Sequence, residues 1–230
     1  MRKLKSIRTK GHKILTGFLK LFIRKPKIVF LGEEFQDGSL ILSNHAGKSA
    51  PLGLDIHLKI PFRFWGAHEM NNGFKSLYKY QTEIYYHQKK HWNLGLAKIA
   101  CCLISPLTNM YYRGLNLIST YPDSRLRTTI KESVETFEKG QSVIIFPEDS
   151  SQGYFDEMKF YYSGFMLLAE TCYKKGIDLP IYTTYFRKKD KKYIVDKPIK
   201  YSELLKLGLS RNEIANKLRI RTNELKDLDV

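Results

Sequence analysis

Acidic residues are missing from the first 27 positions, where ten lysines and arginines stand. The imbalance extends to the whole chain, with 23 Asp and Glu against 39 Lys and Arg and a formal net charge of +16. Such a charge implies an anionic partner, whether a membrane surface, nucleic acid or a phosphorylated metabolite. Cysteine is scarce as well. Cys101, Cys102 and Cys172 are odd in number and lack metal-ligand spacing, so they argue against a disulfide framework. They read as small buried hydrophobes in a reducing compartment. His87 and His91 have helical ligand spacing but no third ligand, and no metal is expected. There is no repeat, linker or low-complexity tract.

What the chain does have is enough apolar and aromatic residue for a core. At 230 residues, 43% apolar, with 15 Tyr and 13 Phe, it is one large α/β domain or a domain with a small appendage, and not a disordered chain. Residues 1–26 predict a basic amphipathic helix. Ile14, Leu15, Phe18, Leu19, Leu21, Phe22 and Ile23 fall on one side of the wheel; Lys13, Thr16, Lys20 and Arg24 fall on the other. This apolar stretch is too short to span a bilayer and lacks a signal-peptide cleavage site. It suits the membrane interface, the alternative being a helix packed on the domain with its charges solvated.

From Lys27 to Val230 strands and helices alternate, which predicts a mostly parallel sheet flanked by helices. Strands are expected at 28–31 and 40–42 around the turn Gln36-Asp37-Gly38, then at 62–66, 115–118, 143–146, 179–186 and 192–195. Helices are expected at 51–58, 73–80, 92–104, 124–139, 163–175, 201–207 and 211–227. The helix at 92–104 is apolar enough to be buried over much of its surface, and Asp123-Ser124 should cap the one that follows.

Two strand ends run into polar turns. Leu40-Ile41-Leu42 leads into Ser43-Asn44-His45-Ala46-Gly47-Lys48-Ser49, and Val143-Ile144-Ile145-Phe146 leads into Pro147-Glu148-Asp149-Ser150-Ser151. Parallel sheets hold ligands at the carboxyl ends of their strands, and an imidazole there can take and return a proton near neutral pH. A hydroxyl needs such a base to attack a thioester, together with donors for the oxyanion that forms. His45 can be the base, with backbone N–H groups around Ala46-Gly47-Lys48 or the Lys48 ammonium as donors.

Asn44-His45, Phe146-Pro147-Glu148 and Leu179-Pro180-Ile181-Tyr182 stand in the order and spacing of conserved blocks, and over about residues 27–200 the chain resembles the glycerolipid acyltransferase family, which includes 1-acyl-glycerol-3-phosphate acyltransferases. The resemblance implies transfer of a fatty acyl group from acyl-CoA or acyl carrier protein to a lipid hydroxyl at a membrane surface, by a peripheral protein on the cytoplasmic face that needs no other cofactor. It implies His45 as general base. Asn44, Lys48, Ser49, Pro147 and Ser150 are expected near the substrates, and Arg125 and Arg127, just beyond the second block, either substitute for its missing arginine or are ordinary helix-surface charges. The chain departs from the family in three blocks. Ala50 stands where the family has the Asp four residues beyond its His, Thr120 stands for an arginine, and Asp149-Ser150-Ser151 replaces Gly-Thr-Arg. Asp149, or failing it Glu148, is therefore expected to orient His45 in place of the lost carboxylate, the alternative being that Asp149 caps the following turn through its own backbone. Asp55, further along, reads as a surface charge. Two other readings stay open: a catalytically silent lipid-binding relative, and a nucleic-acid-binding protein. The second has only a faint helix-turn-helix echo at Ser210–Ala215, where Arg219 spoils the turn, and no nucleic-acid partner is expected.

Overall fold

The computed structural model describes residues 8–149 and 153–230. Eight strands form one sheet: β1 (Lys27–Phe30), β2 (Leu40–Ser43), β3 (Phe62–Ala67), β4 (Ile118–Thr120), β5 (Ser142–Ile145), β6 (Pro180–Arg187), β7 (Lys192–Val195) and β8 (Ile199–Lys200). Their order is β1-β7-β6-β2-β5-β3-β4, with β8 on β6. Only the β6/β7 hairpin and the β6/β8 pair are antiparallel. The expected α/β fold with a mostly parallel sheet and flanking helices is what forms. β1 and β2, read as neighbours around Gly38, do not pair. β1 lies beside β7, and β2 runs through the centre between β5 and β6.

The sheet is covered on both faces because its central strands are apolar on both. On one side Leu40, Leu42, Val143, Ile145 and Ile181 pack with α5 (Leu126–Glu138), α6 (Gly164–Lys174) and α8 (Arg211–Glu224). On the other, Ile41, Ile144, Tyr182 and Phe64 pack with α2 (Ser49–His57). α7 (Tyr201–Leu205) closes the first layer. Asp123 does meet the start of α5, its carboxylate accepting from the Arg125 N–H at 2.9 Å, though Arg125 and not Ser124 occupies the cap position.

Several expectations are corrected between residues 68 and 118. α3 (Phe74–Lys79) continues into a ten-residue π-helix, Tyr80–Lys89, and α4 then runs from Leu94 to Leu115, straight through Pro106. The strand expected at 115–118 starts only at Ile118. α4 is also not buried over much of its surface. Ala97, Cys101 and Ser105 face inward, whereas Leu96, Ile99 and Leu103 are exposed, and so is Cys102, read as a buried hydrophobe. One cause is the buried Gln81 of the π-helix. Its amide donates to Thr108 Oγ1 and accepts from Ser105 Oγ, which fixes the polar side of α4 toward the domain.

The amino-terminal helix is α1 (Lys10–Leu19), with residues 1–7 of the expected basic segment outside the described residues. It packs on the domain through His12, with half-buried Leu15, Thr16 and Leu19 on the same side and Lys13 and Lys20 exposed. His12 is buried, its Nε2 lies 3.0 Å from Asp55 Oδ2, and its Nδ1 lies 3.0 Å from the Tyr111 carbonyl. Arg8 pairs with Asp55 at 2.9 Å and donates to the Leu115 carbonyl. The Tyr111 hydroxyl donates to Asp55 at 2.7 Å. The Asp55 side chain is thus buried at the centre of a network, and its reading as a surface charge is wrong. Gly114 lets α1 come this close, since a Cβ there would collide with His12 and Thr9.

Candidate active site

The turn after β2 is tight and left-handed. Ala46 and Gly47 have φ of 44° and 69°, a conformation that glycine adopts freely and alanine only under strain. It brings the chain at once into α2, so that His45 sits between the carboxyl end of β2 and the start of a helix. Ala50 is fully buried with Phe64 and Ile144, and its carbonyl accepts from the Tyr193 hydroxyl at 2.5 Å.

β5 is the parallel neighbour of β2, so its end reaches the same edge. The segment after it is held by a short antiparallel pairing with residues 160–162: the Tyr162 N–H donates to the Pro147 carbonyl at 2.8 Å and the Asp149 N–H to the Phe160 carbonyl at 3.3 Å. This fixes Glu148, nearly buried, with its Oε1 2.5 Å from the His45 backbone N–H. Glu148 therefore clamps the main chain of His45 and does not orient its ring. Asp149 hydrogen-bonds the Tyr162 hydroxyl. Among the described residues neither ring nitrogen of His45 has a carboxylate partner, and Nδ1 is buried with no hydrogen-bond partner. The expected Asp149 or Glu148 bond to the ring is not formed.

Instead the His45 ring is held by aromatics. Tyr154 stacks on it at 4.6 Å between centroids, and Phe146 tilts against it at 4.9 Å. Loss of hydration lowers the His45 pKa to about 4, with a smaller push from the Lys89 charge and partial relief from backbone groups of Gly47 and His45 itself. Burial raises Glu148 to about 7, opposed by the His45 N–H and by Lys89. At neutral pH the imidazole is uncharged and Glu148 is part protonated.

Lys89 is the residue that sequence reading missed. It ends the π-helix, and its charge is felt by His45, Glu148 and Asp149, while burial lowers its own pKa. Lys89-Lys90 reads as an ordinary surface pair, and no spacing announces a π-helix. Replacing Lys89 by Met should raise the pKa of both His45 and Glu148, because the cation favours the unprotonated form of each. A titration of the His45 ring by NMR would read this, and an unmoved or lowered midpoint would refute it.

The other expected site residues are placed as follows. Asn44 is buried and both ends of its amide are used on Phe186, accepting from its N–H at 2.6 Å and donating to its carbonyl at 3.1 Å, so it brackets β2 to β6 and does not face a substrate. Lys48 is exposed and Ser49 half-buried at the start of α2. Arg125 is exposed, paired with Asp123 at 2.6 Å and lying over Tyr121, and Arg127 is exposed on α5. Both follow β4, three strands from β2 and so about 14 Å across the sheet. Neither is brought to His45. Ser150 lies outside the described residues. No protein-family model matches the chain, and no curated protein matches it in sequence.

Proposed function

We propose that this chain is a peripheral membrane acyltransferase, divergent from the glycerolipid acyltransferase family, that works at the cytoplasmic face on acyl-CoA or acyl carrier protein as donor and a lipid hydroxyl as acceptor. One observation carries the reading. The His45 imidazole stands at the carboxyl end of the central strand β2, where burial lowers its pKa, and its backbone N–H is bound by Glu148 at the end of the adjacent strand β5. In the proposed reaction the acceptor oxygen attacks the thioester carbonyl carbon while His45 takes the hydroxyl proton. The carbon–sulfur bond then breaks, the thiolate leaves with that proton, and an ester and a free thiol result. Lys89 and the N–H groups of the Ala46–Lys48 turn supply positive charge for the oxyanion.

Among the described residues the His45 ring has no carboxylate partner, and this favours a second reading, a silent lipid-binding relative, because an imidazole without a carboxylate stabilises its protonated form poorly. Turnover of an acyl thioester with mixed lysolipid acceptors separates the two. On the first reading His45→Gln lowers turnover by about 10²–10⁴-fold. Absence of turnover in the folded wild-type protein would leave only the second.

A further inference from the structure

We infer that α4, more than the basic amino-terminal helix alone, seats this protein on an anionic bilayer. Leu96, Ile99, Leu103, Leu107 and Met110 recur every three or four residues and so form one stripe along α4. They are 62%, 67%, 81%, 55% and 42% exposed. The helix is about 33 Å long at 1.5 Å per residue. That length could cross a membrane, but its other face, Ala97, Cys101 and Ser105, is buried against α3 and the π-helix. A helix held this way lies along the surface of a bilayer with its open stripe in the acyl region.

α1 points the same way. His12 turns to the protein with half-buried Leu15 and Leu19 on the same side, while Ile14 and Phe18 are 74% and 59% exposed, followed by exposed Leu21 and Phe22. Part of the apolar surface of α1 is thus left uncovered by the domain. α1 and α4 are packed together at Gly114, and Trp92, at the amino-terminal end of α4, is also exposed.

Charge identifies the occupant. The charged residues within α4 are Lys98 and Arg113, and around α1 stand exposed Lys10, Lys13, Lys20, Arg24 and Lys25, with no acidic residue before Glu33. A second copy docked through this face would set cation against cation on chains of +16 each. A nucleic acid would gain nothing from an aliphatic stripe. An anionic bilayer satisfies both, with apolar side chains in its acyl layer and lysines at its headgroups. The seat also serves the site: α4 begins just after Lys89, whose charge reaches His45, so an acceptor drawn from the bilayer at that end enters beside the base.

The inference rests on the reading of this chain as an enzyme of the lipid surface, and the two can fail separately. The test is co-sedimentation of the full chain with 3:1 phosphatidylcholine–phosphatidylglycerol vesicles (about 100 nm), comparing wild type with the double variant Ile99→Glu, Leu103→Glu. Both side chains already face outward, so the fold should hold, as circular dichroism would show. Partitioning should fall about 100-fold or more, the order expected for two aliphatic side chains lost from an apolar phase. Leu103→Trp provides a second measurement: lipids brominated in the acyl chain should quench its emission. Vesicle binding unchanged in the Glu variant, or no quenching, overturns the seat. So does a wild-type dimer in size exclusion that the variant splits while vesicle binding stays the same. Vesicle binding lost in the variant, with no acyl transfer by any form, upholds the seat and removes the transfer reading. Acyl transfer to monomeric lysolipid should be equal in wild type and variant.

Discussion

Replacing Asp55 by Ala should destabilise the protein by about 3 kcal/mol and expose α1 to proteolysis. Its carboxylate is the one acid that Arg8 and His12 share, and it is fully buried. Taking one member from a buried ionic network typically costs about 3–5 kcal/mol, because the remaining charge stays buried without compensation. The lower end applies here, since α1 can lift away and return Arg8 to water. The Tyr111 hydroxyl would lose its acceptor as well; burial and Asp55 together hold that phenol far above its ordinary pKa. Urea denaturation and limited proteolysis measure the two parts. A change under about 1 kcal/mol with α1 still protected would show that the network contributes little.

Substituting either member of the His45–Glu148 pair should reveal a dependence of stability on pH that the wild type conceals. His45 falls from 6.5 to about 4 on folding, so the stability tied to its neutral form is complete above pH 6.5 and is lost as pH falls toward 4. Glu148 rises from 4.5 to about 7, so its contribution is complete below pH 4.5 and is lost as pH rises through 7. Each span corresponds to about 3 kcal/mol. Between about pH 4.5 and 6.5 the unfolded chain gains a proton on one group and loses one from the other, and the slopes cancel. In His45→Gln, stability should drop by about 3 kcal/mol from pH 4.5 to 7 relative to wild type; the backbone N–H that Glu148 binds is kept. In Glu148→Gln it should rise by a similar amount from pH 4 to 6.5, and the double variant should regain the wild-type profile. Two variants with parallel profiles would contradict both shifts.

Much of the fold is legible in the residues because β2, β5 and β6 are short apolar runs ended by proline, glycine or polar turns, and the helices between them keep their period. Strand order is not, since β1 and β2 are near in sequence and their pairing depends on contacts with β7 and β6 that no local pattern encodes. Periodicity finds the apolar stripe of α4 but cannot say whether protein or lipid covers it, and the stripe is open. Asp55 looks like a surface charge because its partners come from α1 and α4, 43 and 56 residues away in the chain. The two polar strand ends do converge, as the pattern of a strand running into polar residues implies. What each carboxylate does there is a matter of angstroms: Glu148 meets the main chain of His45 and Asp149 turns to Tyr162, although both stand in the expected turn.

In the proposed reaction His45 acts as an uncharged base beside Tyr154 and Phe146, and the most direct test is acyl transfer to lysolipid on vesicles at pH 6.5 and at pH 5. A histidine with its ordinary pKa of 6.5 would be about 3% neutral at pH 5, and the rate would fall roughly 15-fold. With His45 at about 4, most of the imidazole is still neutral at pH 5, and kcat/KM should keep more than half its value. A fall of 10-fold or more over this interval, or no transfer at either pH by the folded protein, would contradict the account.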